Sequence, residues 1–307
     1  MQEIVLTQPQ PADRNPAAVY LARLTSNGSR RVMAAALNNI AYLFGVPMDR
    51  IDWAQLRYQH TQYIRAALMT SYAPTTVNRH LSALRGVLKE AWRLGQMDAE
   101  AYRHATDVTN IREERLPAGR YVPREEIARL LATCKHDGVN GVRDLALIAI
   151  LCATGLRRSE LVALDLADYD PESARLEVHA GKGRKARIVY LDAGTRTVLG
   201  HWLALRGDRP GALFTSTDQH MARLTDNAVY MLLRRRAQRA DLPHFTPHDL
   251  RRTFVSDLLD HGVDIAVVAR LVGHQHIQTT ARYDRRGEEA LKQAAQAVDL
   301  PLPIDDD

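Results

Sequence analysis

The sequence of 307 residues contains only two cysteines, Cys134 and Cys152, each inside apolar, helix-like text. Two such residues make neither a disulfide framework nor the clustered spacing of a zinc site. No apolar run approaches the roughly 18 residues that a membrane-spanning helix needs. Residues 1–16 hold no apolar segment of the kind a secretory signal carries. Internal repeats and low-complexity tracts are missing as well. The 46% of hydrophobic and 25% of charged residues match globular protein and exclude a largely disordered chain, a collagen or a coiled-coil rod. The length suits about two domains of roughly 150 residues each. The expected compartment is the cytoplasm, with no membrane partner.

Lysine is scarce too. Only Lys89, Lys135, Lys182, Lys185 and Lys292 occur, against 36 arginines, and the formal net charge is +5. An arginine guanidinium is a rigid fork that bonds phosphate through parallel N–H groups. A basic chain rich in it favours a polyanionic partner, nucleic acid first. Solvated basic faces in a protein from an arginine-rich coding background are the alternative. The acidic end, Asp305-Asp306-Asp307, is expected to be a solvated tail.

Residues 1–14 lack periodicity and are expected to form a flexible arm. From Asn15 to about Asp107 the text is helical almost throughout. Val32, Ala35, Ala36, Ile40 and Leu43 recur at helical spacing before Gly45, and Leu56, Tyr63, Ala67 and Leu68 form a second stripe. After Tyr72-Ala73-Pro74 a long helix places Val77, Leu81, Leu84, Leu88 and Ala91 inside and Asn78, Arg79, Arg85 and Arg93 on another face. Residues 113–123, with two prolines and a glycine, read as a linker. Buried helices are expected over 124–134 and 142–153. Alternating runs at 174–179 and 186–191, around the glycine-rich 181–185, predict a β-hairpin, with 213–215 as a possible third strand. Residues 225–298 are helical again, broken at Pro243, Gly262 and Gly273. The expected fold class is mainly α, with an α-helical N-terminal domain and a mostly helical C-terminal domain that carries a small antiparallel β-sheet.

Four separated segments carry one kind of chemistry. In Thr154-Gly155-Leu156-Arg157-Arg158-Ser159-Glu160-Leu161 an apolar helix stops at glycine and an arginine begins the next turn. Taken alone, that arginine is an ordinary surface residue. Lys182 lies between two glycines at the predicted hairpin tip, where glycine permits a close backbone approach but where lysine also serves plain solubility. In Thr246-Pro247-His248-Asp249-Leu250-Arg251 the threonine caps, the proline suits the first helical position and Asp249 completes a capping box. His248 and Arg251 then share a face at a helix N-terminus, a natural anion site; a bland cap is the other reading. The fourth segment is Leu271-Val272-Gly273-His274, followed nine residues later by Tyr283, which by itself reads as half-exposed packing.

Together these segments resemble, in order and spacing, the catalytic boxes of the tyrosine recombinase (phage-type integrase) family, which includes the Xer-like site-specific recombinases. T-G-L-R-x-S-E-L, G-K-G-x-K-x-R, H-x-L-R and L-x-G-H with its following tyrosine are all present. The likeness is strong over residues 122–285, and residues 73–96 also look like the family's core-binding domain. The resemblance implies a DNA-binding core-binding domain over 15–112, a catalytic domain over 124–287, and a C-terminal helix and tail over 288–307 that packs on a neighbouring protomer or on its own domain.

The resemblance further implies that Tyr283 attacks a scissile DNA phosphate, forms a 3′-phosphotyrosyl link and releases a 5′-hydroxyl. Arg157 and Arg251 would hold the nonbridging oxygens, with hydrogen bonds added by His248 and His274. Lys182 would protonate the departing oxygen, His248 would help take the tyrosine proton, and Glu160 would orient the cations. The covalent link stores the phosphodiester energy, so no cofactor, neither ATP nor metal, is expected. The implied partner is double-stranded DNA with paired recombination half-sites, bound by a dimer at one site and a tetramer in synapsis, in association with the nucleoid. The expected DNA-contact residues are Asn78, Arg79, His80 and Arg85 on one helix and Arg234, Arg235, Arg236 and Arg239 on another.

Three rival readings share parts of this pattern. A type IB topoisomerase-like strand relaxer would use the same groups as a monomer without site specificity. A non-catalytic DNA-binding regulator would lack one of the reacting groups, and all are present here. A metal nuclease built on His244, His248, His274 and His276 needs a carboxylate cluster that the sequence does not offer.

Overall fold

Asn15 starts the first helix, because its side-chain oxygen accepts the Ala17 and Ala18 N–H groups at 2.9 and 3.3 Å. In the computed structural model the described residues are 5–6, 8–112, 119–179, 186–243, 245–284 and 292. Residues 180–185 with Lys182, His244, and all of residues 285–307 except Lys292 lie outside that set. The chain divides into two units, Met1–Leu116 and Pro117–Asp307.

The N-terminal unit comprises α1 (Pro16–Arg23), α2 (Asn27–Tyr42), α3 (Tyr58–Ser71), α4 (Pro74–Arg93) and α5 (Ala99–Thr106), with two short 3₁₀ turns between α2 and α3. Helix α4 is its spine. Pro74 opens it, and Val77, Leu81, Leu84, Leu88 and Ala91 are buried against the other four helices. Each fully buried aliphatic side chain of this kind contributes roughly 1.5–3 kcal/mol.

Two apolar stripes face differently from the sequence expectation. Val32 is exposed, while Ala36 and Ile40 are buried as expected and Leu37 and Ala41 join them. Tyr63 is exposed as well, because α3 turns Thr61, Ile64 and Leu68 inward. The expected free arm is tied down in its described part. Val5 bridges to Ile51, the Leu6 N–H donates to the Arg50 carbonyl at 2.8 Å, and the Gln96 amide donates to the Arg14 carbonyl at 2.7 Å. Lack of periodicity marked an irregular segment, not an unattached one.

The C-terminal unit comprises α6 (Arg124–Ala132), α7 (Gly138–Thr154), α8 (Arg158–Ala163), β1 (Tyr169–Asp170), β2 (Arg175–Val178), β3 (Arg187–Tyr190), α9 (Ala193–Arg206), α10 (Asp226–Arg239), α11 (Pro247–Asp260), α12 (Ile265–Val272) and α13 (Ile277–Ala281). Helix α7 is apolar on nearly every side and packs on α6, α9 and α11, which is what a central helix requires. The strands form an antiparallel sheet in the order β1-β2-β3, with Val178 opposite Arg187 as the pair next to the connection between β2 and β3. The third strand is Tyr169–Asp170, too short to leave a sequence pattern. Residues near 213–215 make isolated bridges, Asp165 with Ala212 and Thr215 with Arg223.

Residues 119–123, expected as linker, run along α11. The Arg120 N–H donates to Asp249 Oδ1 at 2.8 Å, the Tyr121 hydroxyl to Asp257 Oδ1 at 2.7 Å and the Val122 N–H to Thr253 Oγ1 at 2.8 Å. Prolines forbid helix there without freeing the backbone from contact. Among the described residues no helix is long and apolar enough to cross a membrane.

A buried ion cluster fastens α7 to α10. Asp144 Oδ1 accepts Arg143 Nε and Nη2 at 3.0 and 2.7 Å, and Oδ2 accepts Arg236 Nε and Nη2 at 2.9 and 2.6 Å. All three side chains are less than 10% exposed. Asp144→Ala leaves the buried Arg143 without its carboxylate and Arg236 with only the part-exposed Asp137 at 2.7 Å, and breaking a buried pair in this way typically costs about 3–5 kcal/mol. Urea unfolding of the variant measures this, and a loss below about 1 kcal/mol, the worth of a surface pair, contradicts it.

Candidate active site

Helix α7 runs into Gly155 at φ +60°, a left-handed conformation that glycine adopts without strain. A Cβ there would meet a Phe254 ring carbon at 2.6 Å, so the close approach of α11 demands glycine as well. The sharp turn delivers Arg157 as the residue that caps α8. Glu160, in the first turn of that helix, accepts the Arg157 N–H at 2.9 Å through Oε2 and Arg157 Nη1 at 2.7 Å through Oε1. Arg187 of β3 reaches the same carboxylate, with Nη2 at 2.8 Å from Oε2 and Nη1 at 3.2 Å from Oε1.

Helix α11 begins as the sequence predicts. Asp249 Oδ2 accepts the Thr246 N–H and hydroxyl at 2.6 and 2.9 Å, and Pro247 holds the first position. His248 and Arg251 project from its first turns. Arg251 is 2% exposed, donating through Nη1 to the Gly155 carbonyl at 2.7 Å and through Nη2 to the Val272 carbonyl at 2.6 Å. Its Nε has no hydrogen-bond partner among the described residues. Arg157, His248 and Arg251 line a cleft of about 260 Å³, together with Arg158, Ser159 and Asp226.

Tyr283 follows α13 and packs into a small cluster with Val255, Leu259, Val268 and Val272. The Ser256 hydroxyl donates to its carbonyl at 3.2 Å. Its hydroxyl lies 3.2 Å from His248 Nε2, and its ring is parallel to the His274 ring, 16° apart in plane with centroids at 6.1 Å. His274 Nδ1 is 2.8 Å from Thr280 Oγ1. The Arg252 guanidinium lies 5.3 Å from the Tyr283 ring centroid, a cation–π distance.

The charge states follow from burial and neighbours. Burial, and after it the Arg251 charge, lowers the His248 imidazole below its ordinary range. The same two causes, joined by Arg157, bring His274 down to about 4. Both imidazoles are therefore neutral at pH 7. Burial and the adjacent Arg157 pull Arg251 down to about 9, which still leaves it charged at that pH. Burial raises the Glu160 carboxyl, but hydrogen bonds from Arg187 and Arg157 outweigh that and hold it at about 2. Three guanidiniums facing one carboxylate make an anion site. A neutral imidazole at hydrogen-bond distance from a phenol makes a base and an acid that are already paired.

The structure thus brings together Arg157, Glu160, His248, Arg251, His274 and Tyr283, while Lys182 lies outside the described residues. Sequence reasoning missed Arg187, Arg252 and Ser256. For Arg187 a signal existed, the closing arginine of G-K-G-x-K-x-R.

The expected DNA-contact residues divide sharply. Arg79, Arg234, Arg235 and Arg239 are exposed, and Arg239 pairs with Asp137 at 3.0 Å. His80 and Arg236 are turned inward, each 3% exposed. His80 bonds Thr76 and Asn39, and Arg236 is neutralised by Asp144, so neither can reach a phosphate. Asn78 is half-buried and exchanges hydrogen bonds with the Ile111 backbone at 2.8 and 2.7 Å. Arg85 bonds the Val108 carbonyl and, at 3.0 Å, Asn110 Oδ1. These two fasten the segment after α5 onto α4.

Comparison with known proteins adds to this geometry. A family model described as the phage integrase family matches residues 120–289. The tyrosine recombinase XerC of Chromohalobacter salexigens is 34% identical over 241 residues, covering 76% of this chain and 78% of that protein. XerD of Ralstonia nicotianae is 34% identical over 280 residues, covering 89% of this chain and 87% of its own length. Among solved structures, the XerH site-specific recombinase bound to palindromic difH substrate, in a post-cleavage complex, superposes with a TM-score of 0.71 at 19% identity and covers 96% of this chain and 91% of that one.

The lowered imidazoles make stability depend on pH. Below about 6.5 the unfolded chain protonates its histidines, whereas folded His274 does so only near 4. The unfolded state therefore binds more protons over that window, and stability falls as pH drops through it. Urea unfolding between pH 7 and 4.5 is expected to show a steeper loss for the wild type than for His274→Asn. Equal slopes contradict the assignment.

Proposed function

The chain belongs to the phage integrase family of tyrosine recombinases, and on that premise we propose how its own residues carry out strand exchange. It is an enzyme of site-specific recombination that breaks and rejoins DNA strands. Tyr283 is the nucleophile. Its phenolic oxygen forms a bond to phosphorus as the bond to the 5′-oxygen breaks, giving a 3′-phosphotyrosyl link and a free 5′-hydroxyl. His248, neutral and 3.2 Å away, takes the phenolic proton, and Lys182 supplies the proton that leaves with the 5′-oxygen. Arg157 and Arg251 hold the nonbridging oxygens, where negative charge grows in the transition state, and the His274 N–H adds to that hold. Attack by another strand's 5′-hydroxyl reverses the step and rejoins the DNA. The bond energy is kept in the link, so the scheme calls on neither ATP nor a metal.

The observation that carries this reading is the meeting of the Tyr283 hydroxyl with a neutral imidazole beside Arg251, all from one chain.

The partner in this scheme is double-stranded DNA with paired half-sites, met in the cytoplasm at the nucleoid. The structural relative XerH is bound to a palindromic substrate, and a palindrome presents two inverted half-sites to a two-fold dimer. Two such dimers make a tetramer in synapsis. The N-terminal helical unit binds DNA as a core-binding domain through Arg79, and Arg234, Arg235 and Arg239 contact phosphates from the catalytic unit. Residues 288–307 link neighbouring protomers.

Duplexes selected by binding from a random-sequence pool supply the substrate for a test. Tyr283→Phe loses only the hydroxyl and is expected to bind the selected duplex like wild type while forming no covalent adduct, as read on denaturing gels run in excess EDTA. An adduct in that variant moves the nucleophile elsewhere. A wild-type adduct that forms only when a divalent ion is restored overturns the metal-free scheme.

A further inference from the structure

Arg187 lies outside the set of groups that touch the phosphate in the proposed scheme, yet it has the most demanding set of contacts in the site. Its side chain is 11% exposed and Glu160's is 8%, so both ends of the pair are withdrawn from water. The guanidinium presents both Nη atoms to both Glu160 oxygens, the two-pronged geometry that fixes orientation as well as distance. Its Nε donates to the Leu271 carbonyl at 2.7 Å, at the end of α12. Arg251 holds the next carbonyl, that of Val272, at 2.6 Å. Two cations thus close the C-terminus of α12, where the helix dipole favours positive charge, immediately before the turn that delivers His274. Gly273 lets the chain pass close beside Arg187: φ is +68°, and a Cβ there would lie 3.0 Å from Arg187 Nη1.

We propose that Arg187 is a positioning residue for strand cleavage, which fixes Glu160 and the end of α12 so that Arg157 and His274 face the scissile phosphate. This rests on the proposed function of the site. A carboxylate offers about four acceptor directions, and Glu160 fills them with two hydrogen bonds from Arg157 and two from Arg187. Arg187 sets where that carboxylate stands, and the carboxylate sets where Arg157 stands. Arg187 also offsets the Glu160 charge, so that Arg157 and Arg251 keep theirs for the phosphate. Without it Glu160 neutralises Arg157 alone, and the α12 terminus loses one of its two clamps. Both changes act on the nonbridging oxygens and leave protonation of the departing oxygen untouched.

The test is single-turnover cleavage by the full chain on the selected duplex. Arg187→Met is expected to bind DNA like wild type and to form the Tyr283 adduct about 10²-fold more slowly, the scale of loss from a small misplacement of reacting groups. Arg187→Lys keeps the charge but cannot span Glu160 and Leu271 together, so it is expected to be as slow as Arg187→Met. A wild-type rate for Arg187→Lys overturns the assignment. A duplex with sulfur in place of the bridging 5′-oxygen needs little help from an acid, so it speeds Lys182→Ala but not Arg187→Met; selective rescue of Arg187→Met overturns the proposal. Combining Arg187→Lys with Glu160→Gln is expected to be no slower than the slower single variant, whereas multiplied losses contradict a shared role. If Arg187→Met melts before binding DNA, this cycle carries the decision. A wild-type chain with no adduct at Tyr283 defeats the functional reading itself, while a wild-type adduct with undiminished Arg187 variants defeats only this inference.

Discussion

Guanidiniums repel one another, yet Arg157 and Arg251 line one cleft and Arg187 shares a carboxylate with Arg157, with Arg187 and Arg251 largely out of water. The Glu160 carboxylate is the interaction that permits this. It takes two hydrogen bonds from each of Arg157 and Arg187 and stays ionised far below neutral pH, because those bonds outweigh the cost of burying it. With that charge in place two positive charges remain uncompensated, which in the proposed scheme receive a phosphodiester and stabilise the further charge that its transition state gathers. Burial, and after it the field of the same cations, keeps His248 and His274 neutral, so in the proposed scheme one arrangement serves both oxyanion binding and proton removal from Tyr283.

The backbone meets the same demand from other directions. Gly155 and Gly273 each end a helix in the left-handed conformation, and the carbonyls around those turns are the ones that Arg251 and Arg187 hold. Arg251, which lines the cleft, and Arg187, which holds Glu160, are therefore fixed by peptide groups, which cannot shift without unwinding a helix end. Residues 119–123 press on α11 from outside through Asp249, Thr253 and Asp257, so the helix that carries His248 and Arg251 is secured along much of its length.

Much of this was legible in the sequence because the reacting groups sit beside strong local punctuation. Gly155 before Arg157, the Thr246-Pro247-His248-Asp249 cap and Gly273 before His274 each announce a turn that aims a side chain. The α4 core was legible too, since its stripe of valine, leucine and alanine from Val77 to Ala91 repeats over about four turns. What stayed hidden depended on partners distant in sequence. Alternation along β3 puts Arg187 on the inward face of Val189, opposite the exposed Ile188 and Tyr190, but nothing local tells that its partner there is Glu160. Arg236 could have been recognised by period, because it lies on the α10 face of Val229, Leu232, Leu233 and Ala237; its grouping with Arg234 and Arg235 masked that. Asn78 and Arg85 look outward on a helical wheel, but the segment at 108–111 returns to cover them. A two-residue strand such as β1 has no pattern to read at all.

The central claim is that one chain assembles the whole site, with Tyr283 delivered to its own His248 and Arg251. Mixing Tyr283→Phe chains with Arg251→Ala chains on the selected duplex tests it most directly, because every protomer then lacks one essential group. Assembly within a single chain predicts no covalent adduct beyond what each variant forms alone. An adduct that appears only on mixing, carried by the Arg251→Ala chain, shows a tyrosine acting in a neighbour's site and contradicts the account.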